Sequence, residues 1–189
     1  MSEYLSCAAT AKLVRAALKK AFPGIKFSVR SSTYAGGASM SVKWTDGPTT
    51  KEVEKITGPF AGGGFDGMID LKYSVEAWLM PDGSASFAEC RGTEGSMGTV
   101  APFKYEPPAP GAKKVRFGSD YIFTTRENSL EALTAATKKV CEEWGFEMPV
   151  IEQWNDGKAY IKNGWAITVP NASMDLQQLV NRELWKDAA

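Results

Sequence analysis

The chain has 189 residues, of which 43% are hydrophobic and 23% are charged, and its formal net charge is zero. This composition is that of a globular protein with one sizeable core or two small ones, and no apolar run reaches the roughly 18 residues that a membrane span needs. The first residues are too few and too polar for a signal peptide, so we expect a cytoplasmic protein with no membrane partner.

The chain contains no histidine. Histidine is the usual general base near neutral pH, the partner of serine and cysteine nucleophiles, and the commonest zinc ligand. The three cysteines, Cys7, Cys90 and Cys141, are far apart and form no C-x-x-C pair, so we expect all three thiols to be unpaired. These absences favour a protein that is not an enzyme and that uses neither a metal nor a cofactor.

The first part of the chain predicts a helix, a hairpin, a second helix and a second hairpin. Apolar residues recur at helical spacing over residues 6–22, where a Pro-Gly pair ends the helix. Residues 25–32 and 40–44 alternate apolar with polar side chains, as half-buried strands do. A capping-box spacing then predicts a short helix to about Thr57, the glycine-rich residues 60–67 predict a loop, and two more strands follow.

Those two strands are predicted over residues 72–79 and 84–90. Residues 102–111 contain four prolines and predict an extended connector with few backbone hydrogen bonds. We therefore predict two lobes, residues 1–104 and 113–189, joined by a Pro-rich connector at 105–112.

The second lobe predicts a strand over residues 121–125, a helix over 129–144, three short strands joined by hairpin-type turns, of which the last covers 165–169, and a final helix after Pro170. The predicted fold class is α+β, with a helix-hairpin-helix-hairpin N-terminal lobe and a second α+β lobe with an antiparallel sheet. Three tryptophans fall at core-facing positions, and two are candidates for exposed contact anchors. The core-facing ones are Trp44, Trp144 and Trp165, and the candidate anchors are Trp78 and Trp185.

Charge is distributed unevenly along the chain. Residues 4–45 hold seven basic and no acidic side chains, whereas residues 46–111 hold ten acidic and five basic ones. A net charge of zero with this uneven distribution produces a dipolar surface, whose positive pole can bind an anion.

The positive pole contains the candidate binding site. On the first helix three cations share one face, and on the hairpin three cations and two hydroxyl groups share the side opposite the apolar side chains. The predicted binding residues are Lys12, Arg15, Lys19, Lys26, Ser28, Arg30, Tyr34, Ser41 and Lys43. Such groups suit phosphate contacts or an acidic protein partner. A solvated sheet face, or one covered by the second lobe, is the alternative interpretation.

Other motifs favour structural roles. The glycine loops lack the Lys-Ser or Lys-Thr pair of a phosphate-binding P-loop, so turn geometry accounts for them. Asp66 and Asp70 are candidates to approach a metal ion together, but they have no placed partner, and loop hydrogen bonds account for them better.

Five blocks of the chain resemble the signature blocks of one large polyvalent protein-associated domain family, over residues 8–70. The blocks are TAKLVR at 10–15, FPGIKFSVR at 22–30, YAGG at 34–37, WTDGP at 44–48 and FDGM at 65–68. The resemblance implies a protein of phages or conjugative plasmids, where such families accompany anti-restriction and other counter-defence modules. It implies no catalytic residues.

These observations lead to a first hypothesis, a counter-defence binding protein of the anti-CRISPR or anti-restriction type that acts in the host cell cytoplasm. It would occlude a host defence protein or ribonucleoprotein complex with its basic pole. The alternative is an accessory nucleic-acid-binding protein of phage or plasmid DNA handling. A third interpretation is a histidine-free enzyme that uses Asp66, Asp70 or a tyrosine.

Overall fold

The computed structural model describes residues 2–89, 106–169 and 174–186, and its contacts divide the chain into two units. Unit 1 comprises Met1–Trp44 and Thr50–Thr125, and unit 2 comprises Thr45–Thr49 and Arg126–Ala189. Both units contain helices and strands, so the predicted α+β class is confirmed. The division lies later in the chain than the predicted connector.

Unit 1 begins with strand β1, Glu3–Leu5, and helix α1, Cys7–Ala21. Ser6 caps α1, because its side chain accepts a hydrogen bond from the amide of Ala9. The helix buries the stripe that its 3.6-residue period predicts, including Val14 and Leu18. The predicted first helix is therefore confirmed.

A hairpin follows, formed by β2, Ser28–Tyr34, and β3, Gly37–Thr45. The strands are antiparallel, and the connecting turn contains Gly36, whose positive φ of 88° suits glycine. The predicted first strand began three residues earlier than β2. Phe27 is partly buried against the core there, but the pairing with β3 begins only at Ser28.

Helix α2, Thr50–Thr57, leads into a single 3-10 turn, Gly58–Phe60. Strands β4, Gly63–Asp66, and β5, Leu71–Ser74, then pair antiparallel. The predicted loop over residues 60–67 was wrong over 63–66, which form β4, whereas Gly62 and Gly67 lie outside the strand. The glycines permit close packing here. A Cβ atom on Gly62 would lie 1.8 Å from the carbonyl oxygen of Phe117.

Three further strands form a four-stranded sheet with β1, in the order β1-β8-β6-β7. They are β6, Glu76–Leu79, β7, Ala85–Glu89, and β8, Lys113–Phe117. The single strand predicted over 72–79 is in fact two, β5 and β6, because the buried Val75 breaks the pairing and donates its amide to the carbonyl of Gly62.

Strand β9, Tyr121–Glu127, lies beside β3, so the hairpin sheet has the order β2-β3-β9. The sequence placed residues 113–189 in the second lobe, with a strand predicted at 121–125. In the structure β8 and most of β9 belong to unit 1 instead, since Val115 and Phe117 are buried in the same core as Val14 and Val42. Of the predicted connector, residues 106–112 form bends and a turn, and the rest of 102–111 lies outside the described residues.

Unit 2 contains α3, Leu130–Trp144, the antiparallel strands β10, Ile151–Gln153, and β11, Ala159–Ile161, and α4, Leu176–Lys186. The helix predicted over 129–144 is confirmed: the side chain of Ser129 caps α3, and Gly145 ends it in the left-handed conformation. The strand predicted over 165–169 was wrong, because a 3-10 turn, Gly164–Ala166, occupies its start.

The tryptophans differ from the prediction in part. Trp44 and Trp78 are buried, whereas Trp165 is 74% exposed because it lies in the 3-10 turn, and Trp144 ends α3 with its side chain partly in solvent. Trp185 is exposed, as an anchor would be.

Cys7 and Cys141 are free thiols, and Cys90 lies outside the described residues. Burial raises the pKa of Cys141. Among the described residues, no helix has both the length and the apolar character to cross a bilayer.

Candidate functional site

Side chains of opposite character occupy the two sides of the β2–β3 hairpin. Ser28 lies directly opposite Lys43, and Arg30 lies opposite Ser41, so these four side chains share one side. The valine pair between them points to the other side and is buried. Lys26 precedes β2 and continues the exposed positions of the alternation. The hairpin thus brings together the cations and hydroxyl groups that the sequence placed on one side.

The third strand of this sheet adds aromatic rings to the same side. Ile122 on β9 packs against the core of unit 1, so Tyr121 and Phe123, which flank it, point outward. Phe123 is 60% exposed, and the two ring centroids lie 6.4 Å apart. We call this side of the sheet the open face, and none of its residues in unit 1 is acidic. These residues are Lys26, which directly precedes the strand positions, and Ser28, Arg30, Ser32, Tyr34, Ser39, Ser41, Lys43, Tyr121, Phe123 and Thr125.

Tyr34 lies at the end of the open face, opposite Gly37, and is 51% exposed. A Cβ atom on Gly37 would lie 3.2 Å from Cε2 of Tyr34 and 2.3 Å from Oδ2 of Asp120. The absence of a side chain at this position therefore leaves room for both neighbours. Glycine here allows the tyrosine ring and the carboxylate to lie close to the same backbone.

An ion pair supports the aromatic end of the open face. Nζ of Lys72 lies 2.8 Å from Oδ2 of Asp120, 3.3 Å from the carbonyl oxygen of Gly36 and 5.9 Å from the ring centroid of Tyr121. The same carboxylate accepts a hydrogen bond of 3.0 Å from the amide of Ala38. Lys72 therefore connects β5, the hairpin turn and the start of β9 through one ammonium group.

The protonation of this pair follows from its contacts. The hydrogen bond to Asp120 is the main reason that the pKa of Lys72 is raised. Burial acts to raise the pKa of Asp120, but the hydrogen bonds from Lys72 and from the amide of Ala38 outweigh it, and the net pKa is lowered. Both groups are therefore charged near neutral pH.

A cavity of about 360 Å³ opens beside this ion pair. Its walls include Lys72, Asp120, Arg116, Thr33 and Cys7. The charged residues that line it are two cations and one carboxylate, so their net charge is positive and the cavity is suited to an anionic group. Sequence analysis did not single out any of its charged residues.

The cations of α1 occupy a different place from those of the hairpin. Lys12, Arg15 and Lys19 are exposed on α1, whose buried stripe packs with the inward side of the hairpin. They therefore do not share the open face. Arg15 reaches the edge of β2, where its Nη2 donates a hydrogen bond of 2.5 Å to the carbonyl of Val29. The predicted set thus divides into an open-face group and a helix group that meet at β2.

The carboxylates considered for metal binding have local roles. Asp66 is buried, and its Oδ1 accepts a hydrogen bond of 2.9 Å from the amide of Met68. Asp70 adopts a positive φ of 53° in the turn that joins β4 to β5. Within the described ranges, no three acidic or cysteine side chains converge as metal ligands would.

Sequence reasoning missed four residues of the site, namely Lys72, Asp120, Tyr121 and Phe123. The two aromatic residues carried a signal, because they alternate with Ile122 in a predicted strand. Which side of that strand faces the core depends on its neighbours in the sheet, and these are distant in sequence. The ion pair joins residues 48 positions apart and had no local signal.

Residues 5–129 match the model of a family described as large polyvalent protein associated domain 29. The match extends from β1 to the end of β9 and includes every residue of the open face. No curated protein and no solved structure matches the chain.

Proposed function

We propose that this chain, which belongs to the large polyvalent protein associated domain 29 family, is a binding protein of phages or conjugative plasmids that blocks a host defence complex by occlusion. The partner would be an acidic surface of a defence protein, or a nucleic-acid-facing surface of a ribonucleoprotein, as in anti-CRISPR or anti-restriction proteins. The family membership supports the mobile-element setting. The binding role is inferred from the exposed cations and hydroxyl groups of the open face.

The open face is suited to binding because its cations are available. In the described parts of the chain, no acidic side chain forms an ion pair with Lys26, Arg30 or Lys43. Cations without an internal partner contribute little to stability but accelerate encounter with a negative surface and fix its register. A partner with a complementary negative patch would cover this side of the sheet.

A binding role agrees with the chemistry of the chain. The sequence has no histidine to serve as a general base. The carboxylate beside the hairpin turn, Asp120, is held by Lys72 and by a backbone amide. These contacts orient the hairpin turn and the start of β9, which supports a role in shaping the binding surface.

Infection and plasmid-transfer assays test the proposal. The wild-type protein should raise phage or plasmid efficiency only in hosts that carry the affected defence system. The charge-reversed variant Lys26→Glu, Arg30→Glu, Lys43→Glu should lose this effect. The matched control, Lys51→Glu, Lys55→Glu, Lys113→Glu, makes the same change in charge at exposed lysines on α2 and β8, away from the open face. Equal efficiency in all hosts would refute the proposal.

A second candidate function is accessory nucleic-acid binding in phage or plasmid DNA handling. The observation that favours it is the placement of hydroxyl groups beside the cations, Ser28 opposite Lys43 and Ser41 opposite Arg30. Serine, lysine and arginine are common donors to phosphate oxygens. This function requires direct affinity for nucleic acid that decreases as salt increases, because phosphate contacts release counterions. No binding at low salt would exclude it.

A further inference from the structure

Outward aromatic side chains accompany the cations of the open face. Tyr121 and Phe123 project from β9, and Tyr34 projects from the end of β2. Exposed hydrophobic side chains that occur singly need no special explanation, but several on one sheet surface indicate a contact site. Tyrosine and phenylalanine rings are flat surfaces on which bases stack, whatever the base.

The arrangement separates aromatic from charged groups by strand. The cations occupy β2 and β3, through Arg30 and Lys43, whereas two of the rings occupy β9 on the far side of β3. The same open face therefore offers cations for a phosphate backbone along one side and rings for bases along the other. A duplex keeps its bases stacked inside, so the rings are useful only for a strand whose bases are unpaired.

A contact within unit 1 positions the Tyr121 ring, and the absence of a side chain at Gly37 leaves room for the Tyr34 ring. The ammonium group of Lys72 lies 5.9 Å from the ring centroid of Tyr121, and its position is set by hydrogen bonds to Asp120 and to Gly36. The Tyr34 ring lies beside Gly37, where any side chain would crowd it. Rings that are already ordered lose less conformational entropy when a base stacks on them.

We infer that the open face binds single-stranded nucleic acid, with unpaired bases stacked on Tyr121, Phe123 and Tyr34 and with phosphates bound by Arg30 and Lys43. The inference deepens the second candidate function, because it names the form of nucleic acid that this site takes. It also assigns a binding role to Tyr121 and Phe123, which the charge pattern of the chain did not indicate.

Fluorescence anisotropy with labelled oligonucleotides of about 12 nucleotides tests the inference, since single-stranded sites cover lengths of this order. The probes are single-stranded DNA, single-stranded RNA and the matching DNA duplex, each measured at low salt. We expect a single strand to bind more tightly than the duplex. The DNA and RNA probes distinguish which of the two single strands the face prefers, because only RNA offers a 2′-hydroxyl group.

The decisive variants change one ring at a time. Phe123→Ala should weaken single-strand binding by roughly 5-fold to 150-fold, as expected for the loss of one stacked base, and Phe123→Trp should retain binding. The control is Phe87→Ala, because Phe87 is a 41% exposed phenylalanine on β7, in the four-stranded sheet of unit 1. Its affinity should stay within about twofold of wild type, and thermal melting should show that each variant is folded.

The possible results separate this inference from the function on which it rests. Single-strand binding that Phe123→Ala weakens and Phe87→Ala does not would support it. Duplex binding as tight as single-strand binding, or binding that Phe123→Ala leaves unchanged while the open-face charge reversal abolishes it, would overturn the stacking role and leave nucleic-acid binding intact. Absence of binding to every probe would overturn both.

Discussion

Nη2 of Arg15 on α1 lies 2.5 Å from the backbone carbonyl oxygen of Val29 on β2. β2 is an edge strand of its sheet, and a carbonyl at such an edge needs a donor other than a neighbouring strand. The guanidinium group supplies that donor and joins the helix to the strand that carries Arg30. One of the predicted binding cations therefore has a structural role.

We predict that Arg15→Ala lowers the free energy of unfolding by about 1 to 2 kcal/mol, because it removes a charge-assisted hydrogen bond to a backbone carbonyl. Lys12→Ala and Lys19→Ala are the controls on the same helix, and each should change stability by about 0.5 kcal/mol or less. Urea denaturation measures all three. Equal effects at the three positions would mean that the bond to Val29 contributes nothing.

Reversal of three open-face charges should separate folding from binding. The variant Lys26→Glu, Arg30→Glu, Lys43→Glu should keep a free energy of unfolding within about 1 kcal/mol of wild type, because exposed charges contribute little individually. Its affinity for an acidic or nucleic-acid partner should decrease by several kcal/mol at low salt. Thermal melting and binding assays measure the two effects. A much lower melting temperature would indicate that these side chains are paired in the folded protein.

The Lys72–Asp120 ion pair should make the stability of unit 1 sensitive to acid. The folded-state pKa of Asp120 lies below its ordinary value of 3.8, so its stabilising contribution is present above that value and is lost as the pH decreases through the folded pKa. Asp120→Asn should lower the free energy of unfolding by about 1 to 3 kcal/mol at neutral pH.

Urea denaturation at a series of pH values measures this effect. The difference between wild type and Asp120→Asn should shrink as the pH decreases from 3.8 through the lower folded pKa, because Asp120 is protonated first in the unfolded chain and then in the folded protein. Lys72→Met and the double variant complete a double-mutant cycle, which isolates the energy of the pair. A difference that stays constant with pH would show that the charge of Asp120 is not the cause.

Gly62 should tolerate no side chain. A Cβ atom there would lie 1.8 Å from the carbonyl oxygen of Phe117, and backbone atoms cannot move aside as a flexible side chain can. Gly62→Ala should therefore lower the free energy of unfolding by about 3 kcal/mol or more. Gly67→Ala is the control, because no atom lies within 4 Å of its Cβ position and its φ is not positive. Similar melting temperatures for the two variants would contradict the close packing at Gly62.

In unit 2, Glu183 on α4 is only 3% exposed and forms ion pairs with Lys139 of α3 and with Lys186. Hydrogen bonds from these lysines, with that of Lys139 the larger, lower the pKa of Glu183. Its contribution to stability is therefore present above the ordinary value of 4.5 and is lost as the pH decreases through the lower folded pKa.

Glu183→Gln should lower the free energy of unfolding of unit 2 by about 1 to 3 kcal/mol at neutral pH. The control is Glu142→Gln, because Glu142 is 69% exposed and its contact with Lys138 is 3.9 Å, so its effect should be about 0.5 kcal/mol or less. Thermal and urea denaturation followed by circular dichroism measure both. Equal losses of unfolding free energy in the two variants would show that burial does not strengthen the ion pairs of Glu183.

Local patterns in the sequence determined the helices, their caps and the exposed residues of the hairpin. The alternation around Val29 and Arg30 assigned each side chain to a face, because a strand has a period of two and only one face was apolar. The signals that begin and end α1 and α3 act within about one turn of the chain, so a short window contains each of them. They are a serine cap on each helix, the Pro-Gly pair after α1 and the glycine that ends α3.

Only the tertiary structure decided which strands are neighbours. β9 lies beside β3, and this brings Phe123 onto the same face as Arg30 and Lys43. In the same way, Asp120 meets Lys72 across 48 positions of the chain. Two distant strands pair when the free energy gained by burying apolar surface throughout unit 1 exceeds the entropy lost in closing the loops between them. No short stretch of sequence determines that difference. For this reason the sequence alone did not predict that Tyr121 and Phe123 belong to the open face.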